Sequence, residues 1–179
     1  MERQTLNRLA LSLLALGIVG AAHAADRATA EVTDSQGKVV ATATLTEGPH
    51  GTLIHISGRG LPPGPKGIHI HSVGTCEDRD KGFVASKGHL NPQSKEHGLM
   101  NPAGPDAGDL PNLFVHADGT VEVEMFTMLA SLSGKGKPAA LLDSDGAALV
   151  IHTNRDDHVT QPIGGAGARI ACGVVKAAD

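Results

Sequence analysis

The stretch VVATATLT, Val39 to Thr46, places Ala41, Ala43 and Leu45 on one alternation and Thr42, Thr44 and Thr46 on the other. A period of two is that of a β-strand with one dry face and one wet face. The same alternation recurs in ATAEVT (Ala28 to Thr33), TLIHIS (Thr52 to Ser57) and VEVEMFT (Val121 to Thr127). Turn chemistry separates these runs: DSQG at Asp34 to Gly37, PPGPKG at Pro62 to Gly67 and ADG at Ala117 to Gly119. Ile68 to His71, Leu113 to Ala117, Ala148 to Thr153 and Arg169 to Val175 supply four further strand candidates. With 23 glycines and 10 prolines working against helices, about eight short strands predict an all-β domain, a closed or sandwiched antiparallel sheet. Two segments break the pattern. Cys76 to Asn112 and Asn154 to Ala168 are polar, rich in Gly and Pro and far longer than hairpin turns, which marks them as functional loops.

The N-terminus predicts the compartment. Arg3 and Arg8 precede an apolar run from Leu9 to Ala22, and Ala22-His23-Ala24 has the small-x-small form of a signal-peptidase site. The run is shorter than the roughly 18 to 20 residues of a spanning helix. Residues 1–24 therefore read as a cleaved signal peptide and 25–179 as one exported domain, in the periplasm. In an oxidising compartment the only two cysteines, Cys76 and Cys172, read as a disulfide. Closing a loop of roughly a hundred residues is worth on the order of 4 to 5 kcal/mol in the chain-entropy picture. A net charge of -4 with 19% charged residues offers no basic patch for nucleic acid or an anionic membrane surface. Phe83, Phe114 and Phe126 are too few to stack bases.

Ten histidines in 179 residues is a high count. In GIHIHSVGTC, Gly67 to Cys76, His69 and His71 sit at i and i+2 on a strand. They project from one face while Ile68 and Ile70 enter the core. His89 and His97 follow in the first long loop with Asp106 and Asp109, and His152 comes from ALVIHT near the far end. Four imidazoles suit copper, and a mixed histidine and carboxylate set suits tetrahedral zinc. His50, His55, His116 and His158 stand apart from these clusters and read as surface or strand residues. GGAG, Gly164 to Gly167, lacks the GK[ST] of a phosphate loop and reads as tight backbone in a channel wall.

Taken in order, GIHIHSVGTC, KGHLNP (Lys87 to Pro92), His97-Gly98 followed by GDLPN (Gly108 to Asn112), IHTNRDD (Ile151 to Asp157) and GAGARIACGVV (Gly165 to Val175) resemble the signatures of copper/zinc superoxide dismutase, above all its bacterial periplasmic form. The resemblance spans essentially the whole exported chain. It implies an eight-stranded antiparallel Greek-key β-barrel or sandwich with two long functional loops. It further implies one copper held by His69, His71, His89 and His152, and one zinc held by His89, His97 and Asp109, with His89 as a bridging imidazolate. The position at which the family carries a third zinc histidine holds Asp106, and the expectation is that its carboxylate takes that place, adding one negative charge.

By the same resemblance the substrate is superoxide, copper carries the electron and zinc holds the bridge in position. His89 takes up a proton and, with Arg169 beside the copper drawing in the anion, forms the catalytic pair. Asp156 is expected to link a copper histidine, His71, to the zinc histidine His97. The alternative is a non-catalytic periplasmic copper- and zinc-binding module of the same fold, for which an anion-guiding arginine would have no use. A zinc hydrolase would need an open water position and a base, and the chain has no HExxH. Monomer and homodimer both remain open.

Overall fold

A computed structural model describes residues 26–178; the signal peptide expected at 1–24 lies outside the described residues. Strands β1 (Arg27–Asp34), β2 (Val39–Gly48) and β3 (Gly51–Arg59) form two successive antiparallel hairpins. The first turns where expected: Asp34 Oδ1 accepts the N–H groups of Gln36 and Lys38, and Gly37 takes φ +79°. β4 (Gly64–Lys66), β5 (Ile68–His71), β6 (Leu113–Val115) and β7 (Thr120–Thr127) follow. Next come the two-residue β8 (Ala130–Ser131) and β9 (Ala139–Ala140), then β10 (Ala148–His152), β11 (Arg169–Val174) and β12 (Lys176–Ala177).

All eight expected strands form, and β4 arises inside the PPGPKG segment that reads as a turn. The main sheet runs β5-β10-β11-β1-β2-β3-β7, with β12 also on β1. β3 pairs with β7 and β5 with β10 across long connections, the Greek-key crossings. β4 leads directly into β5, β6 leads through a short turn into β7, and β4 pairs with β6. This ladder links the two sheet edges, so the wall curls round one core. The fold is all-β with an antiparallel main sheet, as expected, and only the two-residue β8 and β9 pair in parallel among the described residues.

The inward alternation fills that core with Ala28, Ala30 and Val32 from β1, Ala43 and Leu45 from β2, Ile54 and Ile56 from β3, and Leu149 and Ile151 from β10. Truncating one of the large members to alanine costs about 2–5 kcal/mol. β5 and β10 are buried on both faces. Their inner face carries Ile68, Ile70, Leu149 and Ile151, and their outer face lies under the long loops. Phe83 from the first loop packs there on Ala148, Val150 and Cys172. The Cys76–Cys172 disulfide, closing 96 positions, ties that loop to β11.

Candidate metal centre

Register brings the histidines together. β5 pairs with β10 as Val150 opposite His69 and Ala148 opposite His71, so His69, His71 and His152 share the outer face. β10 pairs with β11 as His152 opposite Arg169, after a bulge at Ile151/His152. The first loop is laid against β5: Ile70 N–H donates to Gly108 O at 2.9 Å and Leu90 N–H to Ile70 O at 2.8 Å. Isolated bridges set His71 beside His89 and His69 beside Asp109. A side chain at Gly108 would collide with the Ile70 carbonyl and His89.

Each imidazole is aimed by one nitrogen, leaving the other for a ligand. His69 Nε2–H donates to Asp156 Oδ2 at 2.8 Å, His71 Nδ1–H to Lys87 O at 2.7 Å and His152 Nδ1–H to Gly167 O at 2.9 Å. The opposite atoms, His69 Nδ1, His71 Nε2 and His152 Nε2, together with His89 Nε2, are buried with no hydrogen-bond partner among the described residues. His69, His71 and His89 offer ligand atoms within 4.8 Å of one another. The His152 ring centre is 4.9 Å from that of His69 and 5.9 Å from that of His71.

A second set, His89, His97, Asp106 and Asp109, converges equally closely. Here too one end of each carboxylate is committed. Asp109 Oδ2 accepts the N–H groups of Gly98 (2.7 Å) and Asp106 (3.0 Å), and Asp106 Oδ1 accepts that of Gly108 (2.9 Å). Asp106 Oδ2 is left 2.9 Å from His89 Nδ1. His97 Nδ1 and Asp109 Oδ1 face each other at 2.5 Å without the geometry of a hydrogen bond. Buried polar atoms left unpaired at such close range form a set that could hold a metal ion. Asp106 is 3% exposed and turned inward.

Electrostatics divides the two sets. Burial, then the Arg169 charge, pushes His71 down to about 2, and burial pushes His152 down to about 4. Burial also lowers His69. Burial acts to lower His97 as well, but Asp109 and Asp156 outweigh it and raise the ring to about 10. His89 is likewise raised against its burial by Asp106 and Asp109. Burial would raise Asp109 and Asp156, yet their histidine partners hold both well below the usual carboxylate range.

A cleft of about 480 Å³ opens over His71, His89 and His152 and is lined by Arg169, Lys95 and Gln161. Arg169 is clamped: Nη1 donates to Phe83 O (2.6 Å) and Ser86 Oγ (3.2 Å), and Nη2 to Lys87 O (2.6 Å). The Lys87 carbonyl thus holds both the guanidinium and the His71 ring.

The β5 histidine linked to His97 by Asp156 is His69, not the expected His71: Asp156 Oδ2 meets His69 Nε2 while Oδ1 accepts from His97 Nε2 at 3.1 Å. His71 turns its outer nitrogen to Lys87 instead. His158, expected as a surface or strand residue, lies in the second loop against Asp156 and Asn112. Two more residues escaped the sequence reading. The Asn112 amide grips the Asp156 peptide, and Gln161 grips the His97 peptide through His97 N–H to Oε1 (3.0 Å) and Nε2–H to His97 O (2.8 Å). Gly164 belongs to the same array, since a Cβ there would strike Asp156 Oδ1 and His97 Nε2.

The family model described as Copper/zinc superoxide dismutase (SODC) matches residues 22–175. The chain belongs to the copper/zinc superoxide dismutase family. It is 48% identical to the copper/zinc superoxide dismutase of Caulobacter vibrioides over 83% of this chain and 85% of that protein. It is 42% identical to copper/zinc superoxide dismutase 2 of Aquifex aeolicus over 94% of this chain and 96% of that protein. Among solved structures, a double mutant of a SOD-like protein from Bacillus subtilis superposes with a TM-score of 0.77 at 44% identity, covering 82% of this chain and 95% of that one. The Brucella abortus copper/zinc superoxide dismutase superposes with a TM-score of 0.67 at 29% identity, covering 84% and 99%. The chain is a superoxide dismutase in activity as well as lineage, with copper and zinc as its cofactors.

Proposed function

We propose that copper is held by Nδ1 of His69 and Nε2 of His71, His89 and His152, and zinc by Nδ1 of His89 and His97 with Oδ2 of Asp106 and Oδ1 of Asp109. The observation that carries this is the set of buried, unpartnered nitrogens on rings whose other nitrogens are already committed. All four copper donors are nitrogen, and the zinc set mixes imidazole with carboxylate, as the two metals prefer. Asp156 coordinates neither metal, because both its oxygens accept histidine protons, and instead fixes His69 relative to His97.

Two superoxide anions and two protons give O2 and H2O2. Copper, when bound, supplies a centre that accepts an electron from one superoxide and returns it to a second. The chain's own residues do the rest. Arg169 and Lys95 make the cleft attractive to a small anion, and the Arg169 fork, immobilised by three acceptors, orients it. His89 Nε2, whenever its lone pair is not given to copper, would be the atom that holds a proton for the departing peroxide. The compartment proposed is the periplasm, entered with loss of residues 1–24, and neither nucleic acid nor membrane is a partner.

Metal content after dialysis tests the assignment. His152→Ala should lose copper and keep zinc, and His97→Ala should lose zinc and keep copper bound. Loss of both metals together, or of neither, would overturn it.

A further inference from the structure

We infer that His158 is a positioning residue for the metal centre, a hydrogen-bonding brace on Asp156 whose tautomer is dictated by Asn112; this builds on the ligand assignment proposed above. The orientation of the Asn112 amide is not free. The Asp156 N–H can only be met by the oxygen, and it lies 2.8 Å from Asn112 Oδ1; the Asp156 carbonyl can only be met by the nitrogen, and it lies 2.9 Å from Nδ2. The second proton on Nδ2 then points at His158 Nε2, 2.9 Å away. That ring nitrogen must accept, so the ring proton belongs on Nδ1.

His158 Nδ1 is buried, has no hydrogen-bond partner among the described residues, and is aimed at Asp156 Oδ2 from 3.5 Å, longer than an ordinary hydrogen bond. The His158 backbone N–H donates to the other oxygen, Oδ1, at 2.6 Å. A carboxylate offers about four lone-pair sites. His69, His97 and the His158 backbone N–H fill three, and His158 Nδ1, 3.5 Å from Oδ2, is the donor placed to close on the fourth. The arrangement requires φ +62° at His158, an uncommon value for a residue with a side chain. His158 O in turn accepts the Met100 N–H at 3.0 Å, locking the two long loops together. His158 is therefore the outer jaw of a clamp that stops the Asp156 carboxylate from swivelling between its two histidines, and its side chain is 18% exposed, outside the copper cleft.

Two readouts test this. Nitrogen NMR of the metal-free chain with labelled histidine should show His158 protonated on Nδ1 and bare on Nε2; a proton on Nε2 would overturn the brace irrespective of any metal. His158→Asn, which tolerates the left-handed backbone and so keeps the N–H to Oδ1, should weaken zinc and copper binding by about 3- to 10-fold, less than the roughly 10- to 100-fold typical of a direct partner, and should alter the copper EPR spectrum. His158→Gln, whose amide can both accept from Asn112 and donate to Asp156, should restore both affinities to within about twofold. Unchanged affinities in His158→Asn, or equal losses in the two variants, would overturn it by assigning the residue to packing alone. A parent chain that binds no metal would contradict the ligand assignment instead, and the tautomer would then decide the brace by itself.

Discussion

Oδ2 of Asp106 lies 2.9 Å from Nδ1 of His89, the ring whose other nitrogen is buried and unpartnered. In the proposed zinc set this carboxylate would stand where the family resemblance implies a histidine, and the Gly108 N–H on its other oxygen leaves Oδ2 turned toward His89. Asp106→Ala should weaken zinc binding by about 100-fold or more, given that even outlying partners of a ligand are worth about 10- to 100-fold. Asp106→His should keep zinc. Competition against a chelator of known affinity measures both.

Arg169 is the one guanidinium lining the cleft among the described residues, gripped by Phe83 O, Ser86 Oγ and Lys87 O. Arg169→Ala should lower the superoxide-removal rate about tenfold and flatten its dependence on ionic strength, because both steering and orientation are lost. Arg169→Lys should retain most of the salt dependence but recover only part of the rate, a point charge being unable to reproduce the fork. Pulse radiolysis across a salt series separates the two.

What was legible in the sequence follows from range. Four of the eight principal strands announce themselves by alternation, the other four are legible only as short runs between turn and loop segments, and His69 and His71 share a face by periodicity alone. The two-residue β8 and β9 carry no periodic signal, and β4 is written in turn residues, Gly64 and Pro65. The clamps were hidden because they join segments far apart. Asn112 meets Asp156 across 44 positions and Gln161 meets His97 across 64, partly through backbone atoms that any residue possesses. Periodicity could not tell whether His69 or His71 turns toward Asp156, since both point the same way from β5.

Zinc loading should expel protons. With His97 raised to about 10, the ring is protonated at pH 7 until a cation displaces that proton, so zinc affinity should fall about tenfold per pH unit for this proton as the pH is lowered. His71 and His152, lowered to about 2 and about 4, stay neutral from pH 5 to 8 and contribute nothing. Calorimetry in two buffers of different ionisation enthalpy should return at least about one proton per zinc at pH 7, whereas a histidine at its ordinary value of 6.5 would release only about a quarter.

Gly164 has φ +62°, and a Cβ there would strike Asp156 Oδ1 and come within 2.9 Å of His97 Nε2. Gly164→Ala should cost about 2–4 kcal/mol in the thermal unfolding of the metal-loaded chain, combining backbone strain with displacement of Asp156. Gly165 also has a positive φ, +68°, but open space where its Cβ would go, and Gly165→Ala should cost only the smaller strain of about 1 kcal/mol.

The central claim is that four histidines and one arginine make a working superoxide site while Asp106 completes its zinc neighbour. The most direct measurement is the superoxide-removal rate of residues 25–179 loaded with copper and zinc, in the presence of EDTA to silence loosely held copper. A second-order rate near about 10^8 to 10^9 M^-1 s^-1 is the predicted result. A rate no higher than that of the same chain carrying His152→Ala and Arg169→Ala would contradict it.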